Sequence, residues 1–181
     1  MRRIVIIGFM GAGKTTVARA LADKTQLAGI DLDDIITERE NTTIPDLIRD
    51  KGEATFRNCE TLMLTVALER RVAQIIGLGG GAWILEKNRE LINKYDCLTV
   101  FLDAPFELCW KRITEQDAIR PLALDRRRAH KLYRERHPIY ELADFHLQVS
   151  EESSADELVA EIVTFMRKRR HTKTLHDPRG R

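Results

Sequence analysis

The sequence predicts an α/β fold with a mostly parallel five-stranded sheet, helices on both faces and a lid segment. Short β-branched runs alternate along the chain with longer stretches of helical composition, as expected for parallel strands joined by right-handed crossovers. The first such run, residues 4–7, leads into the sequence G-x-x-x-x-G-K-T at residues 8–15, and a helical stretch follows it. This strand–loop–helix context indicates a phosphate-binding loop rather than a chance glycine-rich turn.

The residue types in this motif suit the binding of a nucleoside triphosphate. Its glycines let the backbone turn tightly and approach an anion with no Cβ in the way. The amides of the loop and the N-terminus of the next helix then point toward phosphate oxygens. We expect Lys14 to contact the β- and γ-phosphates of ATP, and the Thr15 hydroxyl to bind Mg²⁺.

Length and composition predict one globular domain over residues 1–166 and a basic tail over residues 167–181. The chain has 181 residues, of which 32% are charged and 43% are apolar, enough to bury a full core. The net charge of +2 is uneven, because the tail holds seven Lys/Arg and one Asp. The rest of the chain is therefore net acidic, which argues against a nucleic-acid partner. We expect the tail to be disordered or frayed.

Cysteine usage and apolar content predict a cytoplasmic protein with no membrane partner. The three cysteines are odd in number and show no C-x-x-C spacing, as in proteins whose thiols stay reduced. No stretch approaches the roughly 18 apolar residues that span a bilayer. The five histidines show no metal-ligand spacing, so we expect no zinc site. We expect a monomer whose partners are small molecules.

The first half of the chain predicts two further strands and three helices. A strand at 28–33 ends in two aspartates, and a strand at 72–78 runs into three glycines. The predicted helices lie at 34–40, from a cap at Thr43 to Arg49, and at about 53–70.

The second half continues the alternation of helices and strands. Helices are predicted at 88–94, 105–113, 128–142 with an interruption near Pro138, and 155–169, and strands at 98–102 and 145–149. The segment at about 114–128 is polar and basic, and we expect it to be a mobile lid.

Three candidate binding segments follow predicted strands. Because ligands bind at the carboxyl ends of parallel strands, the phosphate loop, the pair Asp31 and Asp33, and the glycine run 79–81 should share one rim. Asp33 could accept a proton from an acceptor hydroxyl, and Asp31 could hold Mg²⁺ through water. Taken alone, each aspartate could equally be a helix N-cap or a surface acid.

Three arginines and the glycine run complete the set of candidates. Arg57 and Arg136 lie in predicted helices, where a guanidinium could clamp a substrate carboxylate or be an ordinary surface arginine. We assign no packing role to Gly79-Gly80-Gly81, whose amides could meet a ligand oxygen closely. Arg120 lies in the predicted lid, from which an arginine can fold over the phosphates and add charge in the transition state.

The ordered set of motifs resembles the shikimate kinase family over roughly residues 3–165. The motifs are G-F-M-G-A-G-K-T, D-x-D after the second strand, F-R-x-x-E from Phe56, L-G-G-G-A, R-P-L, and R-x-P-x-Y from Arg136. Each later motif is weak singly, whereas their order is specific. The resemblance implies a phosphate-loop kinase fold and transfer of a phosphoryl group from ATP, with Mg²⁺, to the 3-hydroxyl of shikimate in aromatic amino-acid biosynthesis.

Matching the motifs residue by residue implies roles for individual positions. Residues 34–60 would form a substrate-binding region, and Asp33 would be the base. The implied shikimate-binding residues are Asp33, Arg57, Gly80 and Arg136, with Gly79 and Gly81 as neighbouring candidates. The implied ATP-binding residues are Gly11, Ala12, Gly13, Lys14, Thr15, Thr16, Arg112 as a candidate for stacking on adenine, and Arg120 as the lid arginine. The implied catalytic residues are Lys14, Asp33 and Arg120, and the implied metal-binding residues are Thr15 and Asp31.

Two other functions stay open on sequence grounds. One is another small-molecule kinase of similar fold, of the gluconate or nucleoside monophosphate type, although the arginines at 57 and 136 favour a carboxylate acceptor. The other is a non-catalytic nucleotide-binding regulator, against which the lid and the presence of Lys14, Asp33 and Arg120 argue. Asp103 mimics the metal-binding acid of many phosphate-loop proteins, but we assign it a structural role.

Overall fold

The computed structural model describes residues 2–115 and 125–174, with side chains as far as residue 167. Within this part of the chain, five strands form one sheet in the order β2-β3-β1-β4-β5. The strands are β1 (Ile4–Ile7), β2 (Gly29–Asp31), β3 (Ile75–Gly77), β4 (Leu98–Asp103) and β5 (Phe145–Gln148). Every pairing is parallel, which confirms the predicted sheet.

Helices connect the strands and cover the sheet. They are α1 (Lys14–Thr25), α2 (Leu32–Glu40), α3 (Ile44–Lys51), α4 (Glu53–Glu69), α5 (Glu86–Lys94), α6 (Phe106–Thr114), α7 (Arg126–Tyr140) and α8 (Ala155–Thr174), with a 3₁₀ turn at Ala82–Ile84. In the residues that the structure describes, no helix combines the length and the apolar character needed to cross a membrane.

The core forms between the central strands and the apolar faces of the helices. Every residue of β1 is at most 1% exposed, as expected for a central strand covered on both faces. Leu21 of α1 and the pair Leu64 and Leu68 of α4 are fully buried, and each such side chain contributes roughly 1.5–3 kcal/mol. Because the strands are parallel, the turns that follow β1, β2 and β3 lie at one rim of this packed sheet.

Two predicted boundaries, one at the start of β3 and one at the start of α2, are wrong. β3 spans Ile75–Gly77 rather than 72–78, because the Val72 amide donates to Ala67 O and closes the end of α4. α2 begins at Leu32 rather than at residue 34, because the Asp31 side chain caps it by accepting a hydrogen bond from the Asp33 amide. Asp33 therefore lies in the first turn of a helix.

Two helices are more continuous than predicted. Proline removes a hydrogen bond and strains the preceding turn, yet α7 passes through Pro138 to Tyr140. The Glu141 amide still donates to His137 O, and Trp83 Nε1 donates to Ile139 O at 2.8 Å, so contacts hold this turn in place. α8 ends at Thr174 instead of about residue 169, which makes residues 167–174 of the predicted tail helical. Lysine and arginine favour the last turns of a helix.

Candidate active site

The phosphate-binding loop between β1 and α1 has backbone conformations that its glycines allow. Gly11 has a φ of +80°, and an added Cβ would lie 2.5 Å from Cys109 O. Gly13 is the N-cap of α1 and has a φ of 98°, which is also accessible mainly to glycine. Lys14 begins α1, and its Nζ donates to Phe9 O at 2.9 Å. The ammonium group is thereby held over the loop.

This loop opens onto a cleft of about 530 Å³, within the usual size range of ligand pockets. Residues 10–17 line it, together with Asp31, Asp33, Gly80 and Arg112. Arg112 approaches from α6, with its Nη1 3.4 Å from the carbonyl oxygens of residues 11 and 12. The cleft therefore brings the predicted loop residues, both aspartates and Arg112 together.

Thr15 and Asp31 place two oxygen ligands side by side next to the loop. Thr15 Oγ1 donates to Asp31 Oδ2 at 2.6 Å, while Asp31 Oδ1 accepts from the Asp33 amide at 3.0 Å. Asp31 is thus a helix N-cap and a neighbour of the loop threonine at once. Such oxygen donors suit Mg²⁺, which commonly keeps waters and substrate phosphates as its other ligands. The described part of the chain contains no cluster of three or more His, Cys, Asp or Glu residues that could hold a metal ion.

The glycine run after β3 does have a packing role, which corrects the prediction made for it. A Cβ on Gly79 would lie 2.6 Å from Asp33 Oδ1 and 2.8 Å from Glu60 Oε1. A Cβ on Gly81 would lie 2.5 Å from Arg57 Cζ. Because these distances are far below van der Waals contact, any other residue would displace the side chains. Because Gly79 and Gly81 have no side chains, the side chains of Asp33 and Arg57 can pack directly against the turn.

Arg57 is a fixed, largely buried cation rather than a surface arginine. Its Nη1 lies 2.9 Å from Glu60 Oε2 and its Nη2 lies 3.1 Å from Glu53 Oε1, with only 15% of the side chain exposed. Burial lowers the pKa of Arg57, but the two carboxylates outweigh burial and leave the pKa raised. The guanidinium is therefore charged and held in one orientation.

Glu60 lies behind this arginine and is fully buried. Its Oε2 pairs with Arg57, whereas its Oε1 has no hydrogen-bond partner among the described residues. The pKa of Glu60 is raised to about 7, and the largest cause is burial. The Arg57 guanidinium lowers this pKa, and the Asp33 carboxylate raises it. A carboxyl group that titrates near neutral pH thus contacts the site arginine.

We expect the raised pKa of Glu60 to reduce the stability of the fold as the pH rises. The folded-state pKa of about 7 exceeds the ordinary value of 4.5. Between those values the folded protein keeps a proton that the unfolded chain has lost, so the free energy of unfolding falls with increasing pH and levels off above the higher value. Urea denaturation at successive pH values measures this fall, and Glu60→Gln, which cannot titrate, should lack it. Identical pH slopes in the two proteins would contradict the raised pKa.

Arg136 approaches the same glycine run from α7. It is 8% exposed, and its Nη1 donates to Gly80 O at 3.3 Å. The Tyr140 hydroxyl donates to the same oxygen, and the Tyr140 ring stacks on Phe101 with centroids 5.4 Å apart. Burial raises the pKa of Tyr140 to about 12, so its hydroxyl remains a donor. A second buried cation therefore lies beside the turn.

The described structure gathers the predicted acceptor residues at one rim. Asp33 and Arg57 pack against the glycine run and Arg136 bonds to it, while Gly80 also lines the nucleotide cleft. Arg120 and residues 116–124 of the predicted lid lie outside the described residues. Asp103 does not line the cleft and instead bonds to two side chains of neighbouring elements, as a structural acid would.

Three residues of the site were not predicted as such. Glu60 follows Arg57 by three positions, and this one-turn spacing of opposite charges was an available signal. Tyr140 and Trp83 tie α7 to the turn after β3 across 60 and 56 residues. Glu60 and Tyr140 belong to the motifs F-R-x-x-E and R-x-P-x-Y, but the contacts that Tyr140 and Trp83 make join residues too far apart for any sequence spacing to relate them.

Comparisons with known proteins identify the family. A family model described as "Shikimate kinase" matches residues 10–167. The shikimate kinase of Lactococcus lactis subsp. lactis is 38% identical over 161 residues, which cover 88% of this chain and 94% of that protein. The shikimate kinase of Ruegeria pomeroyi is 33% identical over 172 residues, covering 93% and 87%. Among solved structures, shikimate kinase from Acinetobacter baumannii in complex with shikimate matches with a TM-score of 0.85 and 31% identity, covering 93% of this chain and 94% of that one.

Proposed function

This chain belongs to the shikimate kinase family and is a shikimate kinase, and we propose that it transfers the γ-phosphoryl group of ATP to the 3-hydroxyl of shikimate at the rim described above. The observation that carries the proposal is the grouping of the largely buried Arg57, the buried Arg136 and Asp33 around a glycine turn beside the phosphate loop. A carboxylic acid that is to be phosphorylated needs cations for its carboxylate and a base for its hydroxyl.

Arg57 and Arg136 bind the shikimate carboxylate in this proposal. Both guanidinium groups are largely buried and held by hydrogen bonds, so little freedom is lost when the acceptor binds. The ring then lies beside residues 79–81, next to the Asp33 and Arg57 side chains that pack against this turn. This arrangement directs a ring hydroxyl toward Asp33 and the phosphate loop.

Asp33 acts as the base, and Lys14 with the loop amides holds the phosphates. As the acceptor oxygen forms its bond to the γ-phosphorus, the bond from that phosphorus to the β,γ-bridging oxygen breaks and ADP leaves. Asp33 accepts the hydroxyl proton. Lys14 and the loop amides supply positive charge where the transferred group and the leaving oxygen are negative, and we propose that Arg112 stacks on the adenine and that Arg120 closes over ATP.

We propose Mg²⁺ as the metal, held by Thr15 directly and by Asp31 through water. The 2.6 Å contact between Thr15 Oγ1 and Asp31 Oδ2 supports this assignment because it brings two hard oxygen donors to one point beside the loop. When bound, the ion supplies charge neutralisation at the β- and γ-phosphate oxygens. We further propose that the protein works as a cytoplasmic monomer; its three free cysteines suit a reducing compartment.

An acceptor panel tests the reaction. ADP release should require shikimate and should not occur with gluconate, AMP or water as the acceptor. Turnover with gluconate or AMP in place of shikimate would indicate one of the other small-molecule kinases. Equal ATP binding with and without shikimate, together with no turnover, would indicate a regulator.

Replacing Arg57 with alanine should weaken shikimate binding far more than ATP binding. We expect the KM for shikimate to rise about 30-fold or more, as for loss of a charge-assisted hydrogen bond to a carboxylate. Steady-state kinetics with each substrate varied in turn measure the change. Arg70→Ala is the matched control, because Arg70 is an exposed arginine at the far end of the same helix. A fall in ATP affinity alone would show that Arg57 has been assigned to the wrong substrate.

A further inference from the structure

Asp103 at the end of β4 joins three elements through its two carboxylate oxygens. Its Oδ1 lies 3.0 Å from His137 Nε2 on α7, and its Oδ2 accepts from Gln148 Nε2 on β5 at 2.7 Å. The pair is sheltered, with 27% of the His137 side chain and 21% of the Asp103 side chain exposed. Hydrogen bonds to a carboxylate are stronger than neutral ones and strengthen further away from water. This network therefore holds α7 against the sheet.

His137 has further contacts that fix its place. Its ring lies edge-on to Phe101 with centroids 5.6 Å apart, and its Nδ1 is 3.6 Å from Glu141 Oε1. One turn earlier on α7, the Tyr133 hydroxyl donates to Ala104 O at 3.1 Å. The face of α7 that carries residues 133 and 137 therefore has little freedom to rotate or slide along the end of β4.

Arg136 directly precedes His137 in α7. Consecutive helical residues lie about 100° apart around the axis, so any rotation of α7 also swings Arg136. Its Nη1 lies 3.3 Å from Gly80 O and would move away from that oxygen. Binding groups act well only when they are held to within about 0.5 Å of their working geometry. The rotation of α7 thus decides whether Arg136 reaches the acceptor.

We infer that His137 is a positioning residue for the acceptor: its bond to Asp103 sets the rotation of α7 at which Arg136 meets the shikimate carboxylate. The inference rests on the proposed function, because it concerns how Arg136 binds that acceptor. Neither His137 nor Asp103 lines the nucleotide cleft, whereas Arg136 is the next residue to His137 and bonds to the glycine turn. We therefore expect the contact to affect the acceptor more than ATP. A contact that served folding alone would lower stability without separating the two substrates.

The test compares kcat and both KM values in His137→Ala, His137→Gln and His146→Ala. In His137→Ala the KM for shikimate should rise about fivefold to twentyfold, while kcat and the KM for ATP change less than about twofold. His137→Gln keeps an N–H donor of similar reach and should bring the KM for shikimate back to within about threefold of the original. His146 is the matched control. The centroids of its ring and the Phe101 ring are 5.7 Å apart, and its Nε2 bonds to Glu141 O rather than to Asp103.

A second set of variants separates this contact from general destabilisation. Asp103→Asn should also raise the KM for shikimate. In the double variant with His137→Ala, the KM should rise by less than the product of the two single increases, because both substitutions remove the same contact. Asp103→Asn and His137→Gln carry the test if His137→Ala does not fold. An unchanged KM for shikimate, no recovery with glutamine, or an equal effect of His146→Ala would overturn the inference. Failure of the unmodified protein to phosphorylate shikimate would instead overturn the proposed function.

Discussion

Replacing Lys14 with alanine should lower kcat by about a thousandfold while the protein remains folded. Loss of one preorganised charge or donor at a site of developing negative charge typically costs a factor of 10²–10³ or more, and phosphoryl transfer depends almost entirely on positioning and charge. Lys14 is placed for this role at the start of α1, where its Nζ hydrogen-bonds to Phe9 O across the loop. The coupled release of ADP at saturating ATP and shikimate measures kcat.

The control for this variant is Lys24→Ala in the last turn of the same helix. Lys24 is exposed, and its removal changes the net charge by the same amount at a position away from the cleft. We expect its kcat to stay within about twofold of the original, as for most surface changes. If Lys14→Ala kept more than a tenth of the original kcat, the lysine could not be supplying the charge on which the proposed mechanism depends.

The phosphate loop was predictable because its chemistry is local. The glycines, the lysine and the threonine that bind phosphate lie within eight consecutive residues, and the composition of the flanking segments predicts a strand and a helix. Because ligands bind at the carboxyl ends of parallel strands, Asp31 and Asp33 could be predicted to lie at the same edge as the loop without any knowledge of side-chain contacts. The parallel sheet and the shared rim followed from these short-range signals, whereas the order of the strands was not predicted and came from the structure.

The acceptor side was predictable only in part, because its geometry depends on partners far apart in the chain. The residue type of Arg57 and Arg136 left two roles open, and only the family resemblance favoured that of carboxylate ligands. Neither source predicted the contact of Glu60 with Arg57 or the contact of Gly81 with that arginine. The uninterrupted course of α7 through Pro138 also went unpredicted. Local propensity disfavours it, whereas tertiary contacts such as the one from Trp83 to Ile139 O support it.

Replacing Asp33 with asparagine should lower kcat by about a hundredfold or more and leave both KM values within about threefold, as for loss of a general base. The change keeps the shape of the side chain, so it preserves the packing against Gly79, where Asp33 Oδ1 lies 2.6 Å from the position of an added Cβ. The cap of α2 is also kept, because the Asp33 backbone amide, and not its side chain, donates to Asp31. What is lost is the ability to take up the acceptor proton.

Asp23→Asn removes the same charge from an exposed side chain of α1 and should leave kcat unchanged. Comparing the two variants separates the effect of a proton acceptor at the rim from that of one fewer negative charge on the protein. A rate for Asp33→Asn that equals the original would remove the base from the mechanism, and the hydroxyl proton would then have to leave with the transferred phosphoryl group or through water. A raised KM for shikimate with kcat intact would instead make Asp33 a ligand of the acceptor hydroxyl, which a neutral amide binds less well than a carboxylate.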